Sequence, residues 1–182
     1  MPESTIDTRT ELIEACKRGE PIAQKKLYED YCDAMYNICV RMVHDPDDAA
    51  DVLQIAFIKI FKNIGKFKYE STPGAWIKRI VVNDCINHIR ASKLHFEEIT
   101  DYDVPEEDIE IHESLISVPA IKAAISQLSY GYQSVVNLYL FEGYDHSEIA
   151  EILGITVTTS KTQYHRAKKK LRELLEEYKI AC

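Results

Sequence analysis

Apolar residues recur every three or four positions along almost the entire chain, and this spacing predicts helices. In residues 21–43, for example, Leu27, Met35 and Met42 fall on one helical face. A half-buried strand would instead alternate apolar and polar residues between turn signals, and the chain has no clean run of that kind. The sequence therefore predicts an all-α fold.

Two of the predicted helices begin with a recognisable signal. Asp45 precedes Pro46, and Thr72 precedes Pro73. A side-chain oxygen just before a helix can accept a hydrogen bond from the first turn, and proline suits the first helical position. The helix after Asp45 has a predicted buried stripe of Leu53, Phe57, Ile60, Phe61 and Ile64.

The helical pattern stops between about Leu94 and Val118, where the charge also changes. Residues 92–118 contain nine acidic residues and one basic residue, a net charge of −8, the same as that of the whole chain. This segment contains too few apolar residues to bury a core. We therefore predict two small helical domains, residues 1–94 and 119–182, joined by an acidic linker over residues 95–118.

The C-terminal domain has the pattern of a helix-turn-helix. Asp145 and Glu148 have the spacing of a capping box, which predicts the start of a short helix. Gly154 suits the left-handed position at which a helix ends, and Thr156 can cap the helix that follows. Two helices joined by such a tight turn are typical of proteins that place the second helix in the major groove of DNA.

The second of these helices has the chemistry that DNA requires. Between Ser160 and Arg172 there are six basic residues and no acidic residue. The residues expected to contact DNA in the major groove are Lys161, Thr162, His165, Arg166 and Lys169. Those nearest the start of the helix would contact base edges, whereas the later lysines would contact phosphates. The alternative is an ordinary solvated basic face.

The helix that begins near Pro73 carries a polar stripe beside its apolar face. The stripe consists of Trp76, Arg79, Asn83, Asn87 and Arg90, and the preceding loop adds Lys66, Lys68 and Tyr69. These side chains suit an opened DNA strand, because cations neutralise its backbone and aromatic rings stack on its bases. For Trp76 itself, packing in the core is the favoured interpretation.

The helix that begins near Pro46 offers a different surface. Asp48, Asp51, Gln54 and Ile55 lie away from its predicted buried stripe. An exposed apolar residue beside acids and an amide suits a protein partner. The same pattern also fits an ordinary solvated face.

Other functions lack a signal in the sequence. No P-loop, dinucleotide-binding, hydrolase or metalloprotease motif occurs, so we expect neither an enzyme nor a cofactor or small-molecule substrate. Cys85 and His88 have metal-like spacing without a second pair of ligands, and we predict no metal site. No apolar run is long enough to span a membrane and no signal peptide is evident, which predicts a cytoplasmic protein.

The order of these segments resembles that of the extracytoplasmic-function sigma factors, the smallest class of bacterial sigma factors. DAADVLQIAFIKIFKNIGKF is similar to their polymerase-binding helix, and GAWIKRIVVNDCINHIR is similar to their promoter-melting helix. LSYGYQSVVNLYLFEGYDHSEIAEILGI is similar to the start of their C-terminal domain. The resemblance covers nearly the whole chain and implies sigma region 2 in residues 1–94 and sigma region 4 in residues 119–182.

The resemblance also implies roles for individual positions in the N-terminal domain. Asp51 and Gln54 match positions that bind the clamp helices of the polymerase β′ subunit, and Ile55 stands where an acid is common. Arg79 and Asn83 match positions that engage the −10 element. The loop over residues 65–72 corresponds to the place where a flipped base is captured.

In the C-terminal domain, the resemblance assigns Lys161, Thr162, His165 and Arg166 to reading of the −35 element. Thr158, Ser160 and Gln163 stand where the family frequently has glycine, valine and arginine. The implied partners are promoter DNA, core RNA polymerase through its β′ clamp helices and β subunit, and an anti-sigma factor, commonly at the membrane. The alternative function is a conventional helix-turn-helix regulator that binds DNA without polymerase.

Overall fold

The computed structural model describes residues 4–92 and 117–180, and the chain divides into two compact units, Met1–Ser92 and Lys93–Cys182. All regular secondary structure in the described ranges is helical, which confirms the all-α prediction. Most of the predicted acidic linker lies outside these ranges. None of the described helices is both long and apolar enough to cross a lipid bilayer.

Within residues 4–92, the N-terminal unit contains four α-helices. They are α1 (Ser4–Lys17), α2 (Pro21–Val43), α3 (Pro46–Asn63) and α4 (Pro73–Ala91), and a 3-10 turn (Ile64–Lys66) follows α3. Helices α2, α3 and α4 pack against one another, and α1 contacts α2 and the 3-10 turn. The three longer helices therefore enclose the core, with α1 packed beside them.

Helices α3 and α4 begin at the residues that the sequence predicts. The Asp45 carboxylate accepts hydrogen bonds from the backbone N–H groups of Asp47 and Asp48, both at 2.9 Å. The Thr72 hydroxyl accepts one from the N–H of Ala75 at 3.2 Å. These bonds satisfy donors that have no partner within a helix, so both predicted caps are confirmed.

The core of the N-terminal unit is largely aliphatic. Four residues of the predicted α3 stripe are buried, and Phe61 is half-buried. From α4, Ile77, Val81 and Cys85 are fully buried. The Sγ atom of Cys85 lies 3.7 Å from that of Cys39 on α2, and both thiols are inaccessible to solvent. The helices are thus held together mainly by burial of apolar surface, which is non-directional.

Within residues 117–180, the C-terminal unit contains four shorter or more polar elements. They are α5 (Val118–Ser126), α6 (Tyr130–Val136), which continues into a π-helical turn (Asn137–Phe141), α7 (His146–Leu153) and α8 (Val157–Ile180). Helix α8 packs against α5, α6 and α7. One buried cluster of this unit consists of Ala124, Ile125, Leu128, Val136, Ala167 and Leu174.

Polar side chains also organise the C-terminal unit. The buried Gln133 amide donates hydrogen bonds to the carbonyl oxygens of Ser126 at 3.0 Å and Leu128 at 2.8 Å. Ser126 is the last residue of α5 and Leu128 lies two residues beyond it, so Gln133 satisfies carbonyls at and just after the end of this helix. The π-helical turn leaves Tyr139, Leu140 and Phe141 exposed by 37%, 53% and 47%. Turns of this kind are frequent at functional sites, and no pattern in the sequence predicts this one.

Candidate nucleic-acid interface

Helices α7 and α8 form the predicted helix-turn-helix. The Asp145 carboxylate accepts from the N–H groups of Ser147 and Glu148 at 2.7 and 2.8 Å, and the Glu148 carboxylate accepts from the N–H of Asp145 at 2.9 Å. Gly154 ends α7 with a φ of 63°, in the left-handed region. The Thr156 hydroxyl accepts from the N–H of Thr159 at 3.0 Å and so caps α8. The predicted capping box, glycine stop and threonine cap are all confirmed.

Helix α8 has two distinct faces. The inner face contains the buried residues Ser160, Gln163 and Ala167. The predicted DNA contacts lie on the remaining surface, where Lys161 and Lys169 are exposed and Thr162, His165 and Arg166 are half-buried. The structure therefore brings these five side chains to one side of the helix. It also shows that Ser160 and Gln163, which depart from the family's usual residues, contribute to packing.

A cluster of polar and aromatic groups joins the start of α7 to the start of α8. The Nδ1 atom of His146 lies 2.9 Å from the hydroxyl oxygen of Ser160, which is fully buried. The imidazole stacks on the ring of Tyr139 with centroids 4.7 Å apart, and it makes a T-shaped contact with the ring of Tyr164, with centroids 5.7 Å apart. Burial, and then the charge of Lys161, lower the pKa of His146. No local spacing in the sequence reveals this cluster, because its members are far apart along the chain.

The polar stripe of α4 lies opposite the core. Arg79, Asn83 and Asn87 are exposed, whereas Ile77 and Val81 are fully buried. Trp76, for which the sequence favours a packing role, is only half-buried, and its ring contacts Phe67 at a centroid distance of 5.4 Å. The loop residues Lys66, Lys68 and Tyr69 are exposed. Helix α4 and the loop before it thus present cations, amides and aromatic rings together.

A cavity of about 360 Å³ opens between α3 and α4 beside this stripe. Its lining consists of Lys59, Asn63, Lys66, Trp76, Ile80, Asn83 and Asp84. Asp84 is buried, and its Oδ1 atom forms an ion pair with the Lys59 ammonium. Its Oδ2 atom has no hydrogen-bond partner in the described part of the chain. Neither residue of this ion pair is among the site residues predicted from the sequence.

The predicted partner surface of α3 is exposed at all four positions, Asp48, Asp51, Gln54 and Ile55. Asp48 also lies 3.3 Å from the imidazole of His88 on α4. Ile58, one turn beyond Ile55, is 54% exposed, and Ile55 is 50% exposed. The two isoleucines form an apolar pair on the helix surface. Ile58 could have been found from its sequence spacing, because it lies outside the predicted buried stripe.

Two separate family models match the N-terminal and the C-terminal unit. The sigma-70 region 2 model matches residues 27–94, which include the α3 surface and the α4 stripe. The sigma-70 region 4 model matches residues 119–171, which include the helix-turn-helix. The chain belongs to the sigma-70 family.

Similar proteins identify the class of this sigma factor. The ECF RNA polymerase sigma factor SigW of Bacillus subtilis (strain 168) is 29% identical over 181 residues, which cover 91% of this chain and 95% of SigW. The RNA polymerase sigma-H factor of Pseudomonas aeruginosa is 29% identical over 188 residues, covering 94% of this chain and 96% of that protein. The resemblance to extracytoplasmic-function (ECF) sigma factors is thereby confirmed.

Solved structures share the fold of this ECF sigma factor. CnrH, in a complex with the cytosolic domain of CnrY, aligns with a TM-score of 0.59 and 20% identity, over 93% of this chain and 97% of that one. The sigma factor RpoE of Bartonella quintana, in a complex with the anti-sigma factor NepR, aligns with a TM-score of 0.58 and 22% identity, over 84% of this chain and 96% of that one. These likenesses concern the fold alone.

Proposed function

We propose that this ECF sigma factor binds core RNA polymerase in the cytoplasm and directs it to promoters, and that it has no catalytic activity of its own. The observation that carries the proposal is the pairing of a region 2 and a region 4, in that order, each with an exposed surface suited to its task. Relatives along nearly the full length of the chain are RNA polymerase sigma factors.

The surface of α3 binds polymerase in this proposal. Asp48, Asp51, Gln54 and Ile55 contact the β′ clamp helices, and Ile58 extends the apolar part of the contact. Apolar anchors surrounded by polar groups commonly supply most of the free energy of a protein interface. The two exposed isoleucines are therefore the residues whose removal weakens polymerase binding most.

The α4 stripe and the loop before it bind the opened strand at the −10 element. Arg79, Lys66 and Lys68 neutralise the backbone, while Asn83 and Asn87 can form hydrogen bonds with base edges. Tyr69 offers an aromatic ring for stacking, which contributes about 1–3 kcal/mol per base in proteins that bind single strands. The combination suits strand separation, because it binds DNA whose bases are already unpaired.

The exposed side of α8 reads the −35 element in the major groove. Lys161, Thr162, His165 and Arg166 lie in the first half of the helix, where base edges are within reach, and Lys169 contacts the phosphate backbone. Direct contacts to bases give sequence preference, whereas contacts to phosphates give affinity that decreases with salt. Both effects come from the same helix.

The same comparisons support a proposal of regulation by an anti-sigma factor. CnrH was solved with the cytosolic domain of CnrY, and RpoE of Bartonella quintana with the anti-sigma factor NepR. We infer that the free protein is held by a partner of this kind, commonly at the membrane, until transcription is required.

In vitro transcription with sigma-free bacterial core polymerase on a library of genomic promoter DNA tests the proposal. New, specific transcripts that require this protein are the expected result. The competing function is a conventional regulator that binds duplex DNA through α8 without polymerase. Duplex binding by the protein alone, with no new transcript and no binding to core polymerase, would favour that regulator.

A charge reversal then tests the role of α8. Lys161→Glu is expected to lower transcription from a −35-dependent promoter about tenfold, because it replaces a DNA contact with a repulsive carboxylate. Lys122→Glu is the matched control, since Lys122 is an exposed lysine of the same unit on α5. Equal losses in both variants would show that only the overall charge matters.

A further inference from the structure

Tyr69 has an unusual backbone conformation for its residue type. Its φ is 63°, in the left-handed region that non-glycine residues seldom occupy. Such a conformation persists only when surrounding contacts hold it, and conformations of this kind cluster at functional sites. The side chain is nevertheless 42% exposed, so the core alone does not fix it. The contacts that hold it must come from a small number of specific groups.

Those contacts come from α1, about fifty residues earlier in the chain. The Tyr69 hydroxyl donates a hydrogen bond to Oε1 of Glu14 at 2.5 Å. The Lys17 ammonium donates to the same oxygen at 2.9 Å and lies 4.4 Å from the centroid of the Tyr69 ring. The carboxylate therefore fixes the tip of the phenol, and the ammonium contacts its ring through a cation–π interaction.

The protonation states favour this arrangement at neutral pH. Burial, and then the hydrogen bond to Glu14, raise the pKa of Tyr69, so the phenol keeps the proton that it donates. Hydrogen bonds from Tyr69 and Lys17 lower the pKa of Glu14, so the carboxylate remains charged. Glu14, Lys17 and Tyr69 thus all interact with one another, and we call them the α1–Tyr69 cluster.

The cluster is also connected to the α4 surface. The rings of Tyr69 and Phe67 are 4.8 Å apart, and those of Phe67 and Trp76 are 5.4 Å apart. Trp76 in turn lines the cavity beside Asn83. A change in the position of Tyr69 is thus transmitted by direct contact to the surface that we assign to the opened strand.

We propose that Glu14 and Lys17 are positioning residues that hold the Tyr69 ring ready to receive a base of the opened strand. The inference rests on the proposed role of Tyr69 in strand binding. An exposed side chain loses conformational freedom when it stacks on a ligand, and ordering it beforehand removes that cost. Helix α1 lies before residue 27, where the match to the region 2 model begins, so that model assigns no role to α1.

The first experiment is a double-mutant cycle on open-complex formation with core polymerase and duplex promoter DNA. Glu14→Ala removes the acceptor, and Tyr69→Phe removes the hydroxyl while keeping the ring. Each single variant is expected to slow opening about three- to tenfold, and the double variant should be no slower than either, because both remove one interaction. Glu14→Gln keeps an acceptor oxygen and should recover part of the rate.

Glu29→Ala is the matched control for the loss of a surface carboxylate. Glu29 forms an exposed ion pair with Lys25 on α2 at 3.6 Å and is not a member of the α1–Tyr69 cluster. The Glu29→Ala variant should leave the rate of open-complex formation unchanged. The Glu14 side chain is itself 46% exposed, so its replacement should leave the thermal unfolding transition close to that of the parent.

A spectroscopic measurement on the free protein gives an independent readout. Trp76 is the only tryptophan of the chain, so its fluorescence can be followed without labelling. Loosening of Tyr69 and Phe67 should make Trp76 more accessible to acrylamide quenching in Glu14→Ala but not in Glu29→Ala. A merely structural contribution of Glu14 to α1 would leave the quenching unchanged.

The outcomes separate the positioning role from the proposed function. Additive losses in the double variant, or normal opening by Glu14→Ala when Tyr69→Ala is defective, would overturn the positioning role alone. Normal opening by Tyr69→Ala would overturn the role of Tyr69 in strand binding and the positioning role with it. Promoter-specific transcription by the parent protein checks the sigma function separately in the same assay.

Discussion

Helices α4 and α8 both carry proposed DNA contacts on one face, but their opposite faces are built differently. The inner face of α4 consists mainly of fully buried aliphatic residues packed between two long helices. The first half of α8 instead buries Ser160 and Gln163, and the hydroxyl of Ser160 meets His146. Burial of apolar area is tolerant of small shifts, whereas hydrogen bonds require a particular geometry. The orientation of the first half of α8 therefore depends in part on specific polar contacts, in addition to the buried apolar residues Ala167 and Leu174.

The largest expected effect is the loss of stability when one buried isoleucine is truncated in each unit. Ile149→Ala in α7 and Ile86→Ala in α4 each remove a buried side chain, 0% and 1% exposed, and should each destabilise their unit by about 2–5 kcal/mol. Below the unfolding temperature, only Ile149→Ala should also weaken binding to −35 DNA, because α7 directly supports α8. Calorimetry and a DNA-binding titration check both effects. Unimpaired DNA binding by Ile149→Ala would contradict the dependence of α8 on α7.

A surface substitution in the N-terminal unit should separate function from stability. Ile55→Ala is expected to weaken binding to core polymerase by about 1–2 kcal/mol, since exposed apolar anchors contribute strongly to interfaces. Its unfolding transition should not move, because Ile55 is 50% exposed. Ile22→Ala on α2, an isoleucine that is 86% exposed, is the matched control and should bind normally. Equal binding by both variants would remove the α3 surface from the interface.

Two aspartate caps allow the units to be compared with the same substitution. Asp45→Ala and Asp145→Ala each leave two N–H donors without a side-chain partner, at a cost of about 0.5–2 kcal/mol in thermal unfolding. Asp145→Ala should additionally reduce promoter binding, because it loosens the helix that positions α8. A DNA-binding defect of the same size in Asp45→Ala would show that caps matter equally in both units.

The smallest expected effect concerns pH and His146. Because the pKa of His146 is lowered in the folded protein, the unfolded chain takes up the proton first as the pH falls below the ordinary value of 6.5. The native C-terminal unit therefore loses stability as the pH decreases through that range. His146→Gln should show a weaker decrease between about pH 7.5 and about pH 5.5. Parallel pH profiles of parent and variant in thermal unfolding would exclude this contribution.

Local sequence signals predict where most helices begin and which polar residues of the proposed DNA-binding helices face outward. A capping residue acts on N–H groups two or three positions away, so Asp45, Thr72 and Asp145 could be recognised from sequence alone. The outward position of Arg79, Asn83 and Asn87 follows from helical spacing in the same way. These features require no knowledge of how the helices pack.

Contacts between distant residues could not be predicted in this manner. The Tyr69 hydroxyl meets a carboxylate 55 positions away, and Lys59 pairs with Asp84 across 25 positions. Periodicity places a residue on a face but does not say which side chain of another helix meets it. The inward position of Ser160 also became clear only when the packing of α8 was known.

The two thiols at the centre of the N-terminal unit have a practical consequence. Cys39 and Cys85 are fully buried, and contact with Cys39, together with burial, raises the pKa of Cys85. A thiol reagent can therefore modify them only while α2 and α4 are separated, whereas Cys32 is already partly accessible. The labelling rate of Cys39 and Cys85, divided by that of Cys32, therefore measures how readily this unit opens. Labelling of these thiols can thus report the separation of α2 and α4 without any added probe, with or without polymerase bound.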